Sequence, residues 1–197
     1  MGKAVGENRI LISSSKKKEQ EILASTRIAG ALPRETGATP HVGLYLNDST
    51  ETKLEYYLHR ESTVRATKCT NNGVQTLRST TVLTSTAPKN VRTLPASILG
   101  PGTGEKPGSM RMNLRFYAPL GGLVTDLKVN GKEETINRGS HDGLNVVIVP
   151  VLLAPGQKVT VTTSMFTGED QRNDAVFATT PGINPTPNNV KVPTACN

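Results

Sequence analysis

The sequence predicts a mainly β protein, an antiparallel β-sandwich (Ig-like or similar) preceded by a small α/β segment. Three observations carry this expectation. Between residues 63 and 165 Thr and Val are abundant and turn residues recur at fairly even intervals, the composition of short strands. Arg111-Met112-Asn113-Leu114-Arg115-Phe116-Tyr117 alternates strictly, so Met112, Leu114 and Phe116 point to a core and Arg111, Asn113 and Arg115 to water. The 18 Gly and 13 Pro in 197 residues supply turns at a density that disfavours long helical bundles.

Taken in order, Arg9-Ile10-Leu11-Ile12 reads as a short strand. The Ser-rich turn after it can cap a helix over 16–25, with Ser15 as N-cap and Ile22 and Leu23 as a small apolar face. Residues 30–40, with Pro33, Gly37 and Pro40, read as a linker or an extended loop. Val42-Gly43-Leu44-Tyr45-Leu46 has a strand's alternation, and Asn47-Asp48-Ser49 can turn the chain and cap a short helix over 50–58; a strand over 53–58 is the alternative. Strands are then expected near 63–69, 74–85, 110–117, 123–129, 133–136, 144–153 and 159–165. Asn130-Gly131 signals a two-residue hairpin turn, because both central positions need positive φ. Pro150 marks its strand as an edge or a bulge, since proline cannot donate to a ladder. The resulting division is 1–40 as an α/β fragment and linker ending an upstream domain, 41–180 as the sandwich, and 181–197 as an extended tail.

Charge and composition exclude several function classes. The net charge is +7, but residues 1–98 hold 14 Lys and Arg against 8 Asp and Glu while residues 99–197 hold 9 against 8, so the excess is N-terminal. Its one run, Lys16-Lys17-Lys18, is followed by Glu19 and Glu21 and suits a solvated helix better than a phosphate-tracking stripe. There is no Trp, and Tyr45, Tyr56, Tyr57, Phe116, Tyr117, Phe166 and Phe177 are too few for a stacking platform under nucleic acid or sugar. No nucleic-acid partner is expected, and any binding should be weak and lost with salt. The longest apolar run, residues 146–154 with Pro150 inside it, is too short for a membrane helix, and residues 1–7 lack a signal-peptide h-region. The chain is then either cytoplasmic or a piece of something longer.

Candidate chemical motifs reduce to structure. In Gly100-Pro101-Gly102-Thr103-Gly104-Glu105-Lys106-Pro107-Gly108 the lysine precedes proline and a strand, whereas a phosphate loop needs Gly-Lys-Ser/Thr opening a helix. Ser140-His141-Asp142 contains the residue types of a hydrolase triad, but triad members converge from separate parts of a fold, and before Gly143 they read as a turn. His41, His59 and His141 lack metal-ligand spacing. Glu133-Glu134 and Glu169-Asp170 are adjacent carboxylates that cannot converge on one bond from a strand. Asn47-Asp48-Ser49 matches a glycosylation sequon and is equally explained as a turn and cap. No catalytic, cofactor-binding or metal-ligating residue is predicted, and no cofactor. Cys69 and Cys196 are too few for a disulfide scaffold, leaving one bridge or two buried thiols.

Three stretches in order resemble a known family. They are Arg9-Ile10-Leu11-Ile12 with Glu19-Gln20-Glu21-Ile22-Leu23 and Ala29-Gly30-Ala31-Leu32-Pro33; Val42-Gly43-Leu44-Tyr45-Leu46-Asn47-Asp48 with Lys53-Leu54-Glu55-Tyr56-Tyr57-Leu58 and Cys69; and Thr86-Ala87-Pro88, Leu94-Pro95 and Phe116-Tyr117-Ala118-Pro119-Leu120-Gly121-Gly122. Together they resemble the C-terminal part of the large actinobacterial envelope proteins grouped as domain-of-unknown-function family 4012, over residues 9–165. The resemblance implies a protein anchored in the cytoplasmic membrane by an N-terminal helix, with its bulk outside and surface-polysaccharide associations. It also implies an upstream α/β region, somewhat like the envelope phosphotransferases, that is not in this sequence; residues 1–6 then need not be native. The function expected is a non-catalytic extracytoplasmic module whose partners are that upstream domain and envelope components. The alternative is the C-terminal part of a phosphotransferase-like enzyme whose catalytic region lies elsewhere. An outside location would let Cys69 and Cys196 oxidise, and a bridge between them would hold a Pro-rich tail that has few apolar anchors of its own.

Overall fold

In the computed structural model, residues 2–32, 37–100, 105–183 and 188–196 are described. Parts of the linker (33–36), the glycine-rich loop (101–104) and the tail (184–187) lie outside the described residues. Among the described residues three short α-helices, α1 (Gly2–Gly6), α2 (Lys17–Ala24) and α3 (Ala96–Leu99), accompany eleven strands. The strands are β1 (His41–Asp48), β2 (Leu58–Cys69), β3 (Gln75–Ser85), β4 (Met110–Tyr117), β5 (Leu123–Val129), β6 (Lys132–Glu133), β7 (Arg138–His141), β8 (Leu144–Leu153), β9 (Lys158–Phe166), β10 (Ala175–Thr179) and β11 (Asn189–Val192). They form two sheets in the orders β11-β10-β1-β4-β8-β7 and β2-β3-β9-β5-β6, packed face to face. The predicted β-sandwich is what the chain forms. All pairs are antiparallel among the described strands except β1 with β10, which is parallel.

Period-two alternation builds the core. Leu44 lies opposite Phe116, Phe116 opposite Val147, Leu114 opposite Val149 and Met112 opposite Val151, all pointing at the second sheet. From that sheet Leu77, Leu83, Val124, Leu127, Val159, Val161 and Met165 meet them. Each is almost fully buried, and at roughly 1.5–3 kcal/mol per large side chain this layer dominates the favourable side of folding. Tight turns set the register. Asn130 and Gly131 have φ of 50° and 81° between the paired Val129 and Lys132, and Asp142 and Gly143 have φ of 54° and 80° between the paired His141 and Leu144. Both are the positive-φ turns that match the twist of antiparallel strands. Pro150 pairs with Asn113 of β4, and β7 ends opposite Val147, so the missing N–H of Pro150 falls on an open edge.

Several local expectations are corrected. Residues 9–12 form no strand; Ile12 N–H donates to Ile28 O at 2.8 Å, and the only regular structure described ahead of β1 is helical, because no neighbouring strand offers them a ladder. A helix over 50–58 is replaced by one 3-10 turn, Leu54–Tyr57, before β2 begins. The N-cap assigned to Ser15 goes unused: Lys16 holds that position without a side-chain cap, and Ser14 instead bonds Glu19 at 2.7 Å. The strand expected over 133–136 shortens to β6. Strands β7, β10 and β11 were not foreseen. The last of these draws part of the tail into the first sheet.

Candidate functional site

Alternation carries polar groups inward at the end of the sandwich where β1 finishes. Residues 42, 44 and 46 face the opposite sheet, so Asp48, two further on, does too, and Met112 is its partner on β4. From the second sheet Arg60 of β2 points back, a residue only 8% exposed, donating to Thr180 O at 3.3 Å. Glu55, on the turn between, completes the group. The result is a cavity of about 250 Å³ whose polar members are Asp48, Glu55, Arg60 and Thr180, with Ile183 at its rim. Burial pulls the Arg60 guanidinium below its ordinary value. Burial also pushes the Glu55 carboxyl up; its own backbone amide opposes this, while the charge of Asp48 and a hydrogen bond to it reinforce it.

Asp48 is already spent. Its Oδ1 accepts from Thr50 N–H at 2.8 Å and Thr50 Oγ1 at 2.5 Å, and Thr52 Oγ1 reaches Oδ2 at 3.5 Å. These are the bonds of an Asx-type turn that fastens the end of β1 to the following loop. Both oxygens of Asp48 thus serve to hold the loop, which is a structural role.

At the opposite end of β2 the two cysteines meet. Cys69 and Cys196 form a disulfide with Cα atoms 5.0 Å apart, inside the range such bonds span. Gln75, register partner of Cys69 and fully buried, anchors the same corner. Its Nε2 donates to Gln171 O at 2.7 Å and Asn173 O at 2.9 Å; its Oε1 accepts from Thr194 Oγ1 at 3.0 Å and Ala195 N–H at 3.1 Å. All four hydrogen-bonding positions of the amide are filled. Asp174 accepts from Thr194 N–H at 2.8 Å and pairs with Lys191 at 3.0 Å, contacts that hold its carboxyl below the usual range. Disulfides persist in oxidising compartments, so the bond points to an extracytoplasmic module.

Of Ser140-His141-Asp142, read as a turn, only Asp142 lies in one, because Ser140 and His141 pair on β7. Asp142 sits at the tip of the β7–β8 turn and Ser140 is exposed on β7, while His141 Nδ1 meets Tyr117 Oη at 2.7 Å. Tyr117 is edge-on to Tyr45, and with Leu144 and Val146 they form a small outer cluster covered by Leu32 of the N-terminal segment. Burial and the nearby Tyr117 push the Tyr45 phenol up. Lys16 lies on the exposed start of α2, paired with Glu19 at 3.1 Å. Glu133 pairs with Lys128 at 3.3 Å, and Glu169 accepts from Asn72 at 2.9 Å. Among the described residues no three His, Cys, Asp or Glu are placed to hold a metal ion, and no helix is long and apolar enough to cross a membrane.

No family model matches the chain, and no curated protein matches it. A solved structure with partial likeness is a candidate nutrient-binding protein from Legionella pneumophila subsp. pneumophila str. Philadelphia 1, at 8% identity and a TM-score of 0.42, covering 71% of this chain and 54% of that one. The chain thus spans about half the length of that structure.

Proposed function

We propose that the chain is a non-catalytic, extracytoplasmic module of a membrane-anchored cell-envelope protein of the family 4012 type, serving to support an upstream domain. The observation that carries this reading is the Cys69–Cys196 disulfide, which ties the last described residue to the end of β2 across a separation of 127 residues. A cross-link that closes so long a loop is useful only where it stays oxidised. The intramolecular hydrogen bonds of Asp48 and Arg60 agree with a supporting role. The test is a pair of reporter fusions after residue 196 of the full-length gene product, one active only outside the cytoplasm and one only inside, with fractionation of the untagged protein. The outside reporter should be active and the protein should sediment with membranes. Activity of the inside reporter would refute the location, a freely soluble full-length protein would refute anchoring, and turnover of polyprenyl-linked glycan by this chain alone would refute the non-catalytic role.

A further inference from the structure

The outer face of the second sheet carries an arrangement that folding alone does not require. Arg65 of β2 and Arg78 of β3 are register partners, directly opposite one another with both side chains exposed. Like charges so placed destabilise a sheet. None of the ion pairs or side-chain hydrogen bonds among the described residues involves either guanidinium, and the surface around them dips into a depression of about 490 Å³. Lys128 also lines it, and Asp126 is its one carboxylate. The floor between the cations is hydroxyl: Thr63 lies opposite Thr80 and Thr80 opposite Thr162, while Ser164 lies between Arg78 and Asp126.

We propose that this face binds a phosphate-bearing glycan. Two adjacent guanidiniums need an anion with acceptor oxygens for both. A carboxylate offers two oxygens and one charge, whereas a phosphate monoester offers three oxygens and up to two charges, so it can take a bidentate contact from one guanidinium and still present an oxygen to the other. Lys128 lies two strands over from Arg78 and two residues along, on the order of 10 Å away, and adds a third cation to the same depression. The threonine and serine hydroxyls between can donate to and accept from sugar hydroxyls. Nucleic acid fits less well, because no aromatic lines the depression; Phe166, 43% exposed beside Leu123 one row away, is a single ring. This binding is a property of the chain itself and does not rest on its compartment or its upstream domain.

The test titrates the 197-residue chain with a synthetic mannose oligomer bearing phosphate monoesters, against a neutral mannose oligomer, a galacturonate oligomer and single-stranded DNA of equal length, by calorimetry at low and physiological salt. The phosphoglycan should bind at least about tenfold more tightly than the other three, the discrimination of one charge-assisted pair. Arg65→Gln with Arg78→Gln should lose at least about tenfold without lowering Tm, since it relieves a like-charge contact, while Lys89→Gln on a distant loop should bind as the parent does. Should the double variant fold poorly, the single Arg78→Lys variant carries the test: it keeps the charge, loses the fork and should weaken binding severalfold. Equal binding of the neutral, uronate or DNA oligomer, or unchanged affinity in the arginine variants, would overturn the proposal.

Discussion

Replacing Gln75 with Leu tests how the C-terminal corner is held. Leucine has nearly the same size but makes none of the four hydrogen bonds of the buried amide. Thr194 Oγ1 keeps a partner in Arg172 O at 2.7 Å, and the carbonyl of exposed Asn173 can be taken over by water. The Gln171 carbonyl and the Ala195 amide lose theirs, at about 1–3 kcal/mol each, and the better burial of leucine returns about 1 kcal/mol. The net loss is about 3 kcal/mol, or roughly 6–12 °C in Tm for a chain of this size. Without Trp, unfolding is best followed by far-UV circular dichroism in urea on the oxidised protein. The midpoint should fall with the slope unchanged. A loss below about 1 kcal/mol would refute the reasoning and show that water satisfies the corner as well as Gln75 does.

Three further outcomes follow from the same geometry. Leu114→Asp, at a fully buried position, should cost more than about 4 kcal/mol and unfold the chain, whereas Asn113→Asp on the other side of β4 should change Tm little; equal shifts would mean the strand faces are misassigned. Glu55 has its pKa raised in the folded state, so its neutral form is favoured there. Stability is full below the ordinary carboxyl value of 4.5 and declines as pH rises through the raised one. Glu55→Gln should flatten that decline, by under about 1 kcal/mol because Glu55 is substantially exposed, in urea titrations across pH 4 to 7. Cys196→Ser should expose the Lys191–Val192 bond to trypsin and, on the loop-entropy model with a separation of 127 residues, remove up to roughly 5 kcal/mol.

What the sequence showed and what it hid divide along physical lines. Strand β4 was legible because its two faces differ in every residue, and the turns at Asn130-Gly131 and Asp142-Gly143 because positive φ selects so few residue types. Strands β10 and β11 were hidden. β10 pairs in parallel with β1 more than a hundred residues away, which leaves no hairpin signal, and β11 is four residues long with a proline following. Residues 9–12 are apolar enough for a strand but find no partner, so composition misled. Gln75 and Asp48 were findable in principle, as polar residues in register with a run of core positions, a pattern that demands partners. The opposition of Arg65 to Arg78 was not, since it depends on where the turn between β2 and β3 sets the register.

The extracytoplasmic module stands on the oxidation state of Cys69 and Cys196. Cells producing the full-length protein are quenched in acid, denatured with a thiol alkylating agent without reduction, and the digested protein is analysed by mass spectrometry. A linked peptide joining Cys69 to Cys196 should be recovered, with no alkylated form of either. Recovery of both cysteines alkylated would contradict this, removing the anchor of the tail and the ground for an extracytoplasmic module together.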